Sequence, residues 1–165
     1  MKLLIVSDSH GDNAAVTAAI KAEAPDMLIH LGDLEEDKDE LEEAMGVPYK
    51  PCIFIKGNCD GYFRPADGLL ESSVFELCGH RFFASHGHRQ SVSSGFSGLF
   101  YTAAENDCDI ALFGHIHVPV DEEWEGIRIL NPGSISRPRG GSKKSYLILE
   151  MDEDGEYTAS FKELK

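Results

Sequence analysis

Seven residues of this chain combine the donor types of a metal centre with a repeated setting. Asp8 and His10 lie in Ser7-Asp8-Ser9-His10-Gly11, Asp33 follows Gly32, Asn58 follows Gly57, His86 precedes Gly87, and His115 and His117 lie in Gly114-His115-Ile116-His117. Carboxylate oxygen, amide oxygen and imidazole nitrogen together suit a divalent transition metal: manganese, iron, cobalt, nickel or zinc. Asp8 and His10 are two residues apart, as are His115 and His117. In extended chain such residues point the same way, roughly 6.5–7 Å apart, so each pair can converge on one ion or a close pair. Seven donors exceed the four of a tetrahedral ion. They match two ions about 3.5–4 Å apart that share a carboxylate, the arrangement of many two-metal hydrolytic sites.

Each donor lies just past the carboxyl end of a segment that reads as a strand. Residues 2–6, 26–31 and 51–56 are short apolar runs, separated by a helix over Asn13–Glu23 and a short acidic helix over 37–45. Asp12 is placed to cap the first helix, and Pro25 closes it. Strand, helix, strand, helix, strand predicts a parallel α/β layer. The second half predicts a hairpin of 74–77 and 81–84 about Cys78-Gly79-His80, a helix over 91–106 weakened by Gly95 and Gly98, and a strand over 109–113. Two further hairpins turn at Glu125-Gly126 and at Asp152–Gly155, and the longest loop runs from Asn131 to Ser142. The expectation is one domain over residues 1–165, with two sheets and flanking helices. Ligands of open α/β sheets collect at the carboxyl edge of the strands, where these donors fall.

Composition narrows the partners. At 165 residues the chain has the size of one domain. Fifteen Lys and Arg against 29 Asp and Glu give a net charge of −14. That argues against an electrostatic grip on long nucleic acid and suits cations. No run approaches the ~20 apolar residues of a membrane helix. The apolar start, Met1 to Val6, stops at Asp8, too early for a signal-peptide core. Cys52, Cys59, Cys78 and Cys108 show no C-x-x-C spacing and read as reduced thiols of a cytoplasmic protein. A homo-oligomer is left open. His30 reads as an interior histidine and His80 as a solvated turn residue. Arg64, Arg89, Arg137 and Arg139 lie in loops near the donor segments and read as phosphate-attracting or as ordinary surface residues.

Asp8-x-His10, Gly32-Asp33, Gly57-Asn58-Cys59-Asp60, Gly87 after His86, and Gly114-His115-x-His117 match, in order, the five blocks of the calcineurin-like metallophosphoesterase superfamily. The chain resembles its small YfcE-type phosphodiesterase branch in length, in the Gly-Asn-Cys-Asp form and in Asn131-Pro132-Gly133-Ser134. The resemblance runs from Lys2 to Ser136. It implies a four-layer α/β/β/α sandwich, with Asp8, His10 and His117 on a first ion, Asn58, His86 and His115 on a second, and Asp33 bridging. Manganese is the first choice of metal, with nickel, iron, cobalt or zinc as alternatives. The implied activity is hydrolysis of a small phosphate ester, above all a phosphodiester, by metal-activated hydroxide, with catalytic roles for Asp33, Asn58 and His88. The wider superfamily usually carries His where this chain has Cys59. A thiol with a reference pKa of about 8.5 is a poor cation, so catalysis falls to the metals or to His88. The alternative is a catalytically weak interaction scaffold, as in the retromer subunit of similar fold.

Overall fold

The computed structural model describes residues 1–46, 50–62 and 65–164. The first apolar run forms β1 (Lys2–Val6), the second β2 (Met27–His30) and the third β3 (Cys52–Phe54). They are linked by α1 (Asn13–Glu23) and α2 (Asp39–Met45). Asp12 caps α1 by accepting from the Ala15 N–H at 3.0 Å, and left-handed Ala24 ends it just before Pro25. α2 opens with Asp39, Glu40 and Glu42, which complement the positive end of its dipole. The second half adds β4 (Ser72–Leu77), β5 (His80–Ser85), α3 (Ser97–Glu105), β6 (Ile110–Leu112), β7 (Pro119–Trp124), β8 (Ile127–Pro132), β9 (Ser145–Met151) and β10 (Tyr157–Glu163).

Two five-stranded mixed sheets result, ordered β10-β9-β1-β2-β3 and β4-β5-β6-β8-β7. β1, β2 and β3 run parallel, while β9 returns antiparallel beside β1. The hairpins β4–β5 and β7–β8 turn on Cys78-Gly79 and Glu125-Gly126, both residues of each pair having positive φ. That is the primed turn whose twist suits a two-residue loop.

Alternation along the strands sorts side chains into layers. Leu3, Ile5, Ile29 and Leu31 face inward against Phe82, Ala84, Ile110, Leu112 and Leu130 of the other sheet. Leu4, Val6 and Leu28 face outward against Val16, Ala19 and Ile20 of α1 and Leu41 and Met45 of α2. Phe83, Ala111 and Ile129 pack on Leu99 and Ala103 of α3. The architecture is the expected α/β/β/α sandwich. Among the described residues no helix is long and apolar enough to cross a membrane, and all four cysteines are free.

The expected helix over 91–106 is shorter. Tight 3-10 turns at His88–Gln90 and Val92–Ser94 precede α3, because Ser91 (φ 55) and Gly95 (φ 135) break the helical ladder. Gly98 belongs to α3; a Cβ there would lie 2.6 Å from the Gln90 carbonyl oxygen, so its small size lets the turns pack closely. Asn131 and Pro132 end β8, and the long loop opens at Gly133. His80 is no solvated turn residue. It starts β5 with Nδ1 2.6 Å from Asp109 Oδ2 and Nε2 2.7 Å from the Gly155 carbonyl, its ring edge-on to Tyr157. Arg64 lies outside the described residues.

Candidate metal centre

The seven residues gather where the parallel strands end. Asp8, Asp33 and His86 are buried, as is His117. Asp8 Oδ1 lies 3.1 Å from His117 Nε2 and 3.9 Å from His86 Nε2. Asp33 Oδ2 lies 3.5 Å from His86 Nε2 and 3.9 Å from His10 Nε2. The Nε2 atoms of His10 and His117 are 3.3 Å apart, and Asn58 Oδ1 stands 3.2 Å from His86 Nε2. Two trios drawn from the seven thus bring their donor atoms within 4.8 Å of one another, Asp8, His10, His117 and Asp8, Asp33, His86, and a further group of His10, Glu35 and Cys59 meets at the same range. His115 joins neither trio; its ring centroid is 5.2 Å from that of His86, and its backbone N–H donates to Asp8 Oδ2 at 3.0 Å.

The convergence of the i, i+2 pairs does not come from extended chain. Asp8, His10, Asp33, His115 and His117 all have positive φ, between 45° and 70°. Such left-handed non-glycine backbone costs of order 1–3 kcal/mol each and concentrates where function requires it. Surrounding bonds hold the turns. The Asp8 carbonyl accepts from the Ser134 and Ser136 hydroxyls at 2.8 and 3.0 Å, and Asp8 Oδ2 from Ser7 Oγ at 2.6 Å. The Cys59 N–H donates to Asp33 Oδ1 at 2.8 Å. Asp60 accepts from the N–H groups of Glu35 and Gly57, both at 2.8 Å. Buried His30 accepts from the Gly32 N–H and meets Ser9 Oγ at 2.9 Å; burial drives its pKa down to about 4, so the ring is neutral.

The imidazoles are oriented for metal binding. His10 Nδ1–H donates to Glu35 Oε2 at 3.0 Å, His86 Nδ1–H to the Leu31 carbonyl at 2.7 Å, and His117 Nδ1–H to the Arg137 carbonyl at 2.6 Å. Each Nε2 is then a bare lone pair in the neutral ring, aimed at other acceptors. Anchoring one ring nitrogen to free the other is the habit of ligating histidines. Asp8 Oδ1, fully buried, accepts no hydrogen bond. Acceptor facing acceptor in a buried space is costly unless a positive charge lies between. Without an ion, protons take that part: burial opposes charge on His86 and His117, yet Asp33 and Asp8 outweigh it and raise both rings' pKa. Asp33 is held well below the usual carboxylate range; burial opposes this, but His86 and the Cys59 N–H prevail. The donor set fits divalent cations.

Glu35, Asp60 and the segment Ser134–Arg137 also support the centre, a positioning role that the sequence alone does not predict for them. Two of their signals were visible: Asp60 closes the Gly-Asn-Cys-Asp block and Ser134 the Asn-Pro-Gly-Ser block. The Arg137 carbonyl had none, being backbone. His88 stands beside the centre, its ring centroid 5.4 Å from His86 and 6.2 Å from His115. Burial, then His86 and Arg89, lower its pKa, and its buried Nδ1 has no partner. With Asn58, Lys56, Tyr62 and Arg89 it lines an open cleft of 330 Å³. Burial and nearby Asp33, Glu35 and Asp60 push the Cys59 thiol up to about 12, so it stays neutral.

A double α/β sandwich that presents such donors along its strand ends defines a class of metal-site protein. The chain belongs to the calcineurin-like phosphoesterase superfamily, a hydrolase family, whose domain model matches residues 1–154. It is 35% identical over 158 residues to a probable metallophosphoesterase, YsnB, of Bacillus subtilis, covering 93% of this chain and 86% of that one. It is 30% identical over 173 residues to the phosphodiesterase YfcE of Escherichia coli K12, covering 92% and 89%. A solved structure from Streptococcus pneumoniae TIGR4, described as a predicted phosphoesterase, superposes with a TM-score of 0.81 at 34% identity, covering 97% of this chain and 87% of that one.

Proposed function

We propose that residues 1–165 form a single-domain, dinuclear-metal phosphodiesterase acting on a small phosphate ester in the cytoplasm. Asp8, His10 and His117 would hold one divalent ion, Asn58, His86 and His115 the other, with Asp33 between them; manganese is the first candidate. The observation that carries this reading is the meeting of the Nε2 atoms of His10, His86 and His117 with two buried carboxylates, one of whose oxygens accepts no hydrogen bond. When bound, a metal pair supplies an acidified water and neutralises charge on the phosphoryl oxygens.

The chain's own residues do the rest. Asp33, held by the Cys59 N–H, fixes the middle of the centre, and Asp8 is locked by two serine hydroxyls on its carbonyl. Asn58 is exposed at the mouth and can donate its amide N–H to a phosphoryl oxygen as charge grows there. His88, a neutral ring beside the cleft, can donate to the departing oxygen. Two divalent ions leave the chain near about −10 while concentrating positive charge at the strand edge, which draws an anionic substrate to an acidic protein.

The test is chelation followed by reconstitution, assayed on bis(4-nitrophenyl) phosphate and 4-nitrophenyl phosphate. Stripped protein should be inert, Mn²⁺ or Ni²⁺ should restore turnover, and the diester should be preferred. Unchanged turnover after exhaustive chelation overturns the reading. A Mn²⁺-saturated protein inert on both esters assigns the chain to the interaction-scaffold alternative.

A further inference from the structure

Charge in this acidic chain is unevenly placed. Between Ile127 and Leu149 there is no Asp or Glu, but there are Arg128, Arg137, Arg139, Lys143 and Lys144. Arg128 pairs with Asp121 at 2.9 Å, Lys143 with Glu163 at 2.8 Å, and Lys144 approaches Asp12 at 3.8 Å. Arg137 and Arg139 are exposed, and among the described residues neither guanidinium has an ion-pair or hydrogen-bond partner.

Their backbone is tied to the centre. The Ile135 N–H donates to the Ser7 carbonyl at 3.2 Å, the Arg137 carbonyl accepts from His117, and the Arg139 N–H donates to the His117 carbonyl at 3.1 Å. Pro138 fixes one φ between the two arginines. The other flank is acidic: Glu35 bonds to His10, and Glu36 and Asp37 follow it. The segment bonded to His10 thus carries carboxylates, and the segment bonded to His117 carries two arginines without partners. A single scissile diester carries one negative charge, which the metals would meet. Two unengaged guanidiniums, whose planar forks match phosphate or carboxylate oxygens, exceed that need.

We propose that Arg137 and Arg139 form a second anion subsite, so that the preferred substrates are phosphate esters bearing a further phosphoryl or carboxylate group. This rests on the phosphoesterase reading above. The matched probes are thymidine 5′-(4-nitrophenyl phosphate) and its 3′-phosphorylated form, which release the same nitrophenol. Mn²⁺-loaded wild type should favour the 3′-phosphorylated ester in kcat/KM by about ten- to hundredfold, the scale of one or two charge-assisted hydrogen bonds. The double variant R137Q/R139Q should reduce that ratio at least about fivefold, and salt should shrink it in wild type. An absent preference, or an equal loss on both esters in the variant, overturns the subsite. Calorimetry with thymidine 3′,5′-bisphosphate and thymidine 5′-phosphate gives an arm free of turnover. A protein inert on both esters refutes the hydrolase reading alone; the bisphosphate should still bind more tightly, by a margin lost in the variant. Equal binding of the two nucleotides refutes the subsite.

Discussion

His117 Nε2 stands 3.1 Å from Asp8 Oδ1 while its Nδ1–H is engaged by the Arg137 carbonyl, so Nε2 and the carboxylate face each other across a buried gap that a proton or a metal ion must fill. A cation between them turns a penalty into a bond. Metal should therefore stabilise the fold as well as activate it. At about a hundred times Kd one bound ion adds roughly 2.7 kcal/mol, and one kcal/mol moves Tm by about 2–4 °C at this size. Mn²⁺ should raise the wild-type Tm by about 5–11 °C over the chelated protein, and Asp8→Asn should cut that rise sharply. Equal rises in both proteins would contradict the pairing.

Gly57 lets the loop after β3 pass against Asp33. A Cβ there would fall on Asp33 Oδ1 and on the Asp33 backbone nitrogen. Gly57→Ala should therefore push the Asp33 carboxylate aside. Activity should drop by about a hundredfold, with stability lowered by about 1–3 kcal/mol and circular dichroism unchanged. Near-wild-type turnover would show that Asp33 does not need this position.

Cys59 cannot supply positive charge, because a thiol is neutral and its conjugate base negative; the raised pKa keeps it neutral. Cys59→His should raise kcat/KM on alkyl esters more than on nitrophenyl esters, since only poor leaving groups need help. His88→Ala should act oppositely, costing roughly tenfold or more on alkyl esters and little on nitrophenyl ones. Uniform changes across leaving groups in both variants would remove either residue from that role.

His80 ties the two sheets together far from the centre, between Asp109 of one and the Gly155 carbonyl of the other. Both nitrogens face acceptors, which favours the doubly protonated ring. Burial opposes this, but the Gly155 carbonyl and then Asp109 prevail, with Glu156 adding to them, and the pKa rises above 6.5. A raised folded pKa means the contribution is complete below about 6.5 and fades as pH climbs through the folded value. Urea unfolding in chelator should show His80→Gln less stable than wild type at about pH 6, with the gap narrowing by about pH 9. A gap independent of pH would contradict the charged bridge.

Much of this was legible in residue order. The apolar runs at 2–6 and 26–31 and the Asp12 and Pro25 signals are local, so α1 and its strands came out as expected. The sandwich itself and the roles of the seven donors came from the resemblance, not from periodicity. What stayed hidden depends on distant chain. Glu35 positions His10 across 25 residues, and the Ser134 hydroxyl reaches the Asp8 carbonyl across 126. Spacing predicts extended chain at Asp8, His10, His115 and His117 where the backbone is left-handed, because strain held by tertiary bonds leaves no mark on spacing. The helix expected over 91–106 begins only at Ser97, because Gly95 (φ 135) leaves the helical region and 3-10 turns replace the first turn of the expected helix.

The most direct measurement is an anomalous difference map at the manganese edge from crystals grown with Mn²⁺. The account requires two peaks per chain, one enclosed by Asp8, His10 and His117, the other by Asn58, His86 and His115, with the Asp33 carboxylate touching both. No peak among these side chains, or one peak with Asp33 turned away, would contradict it.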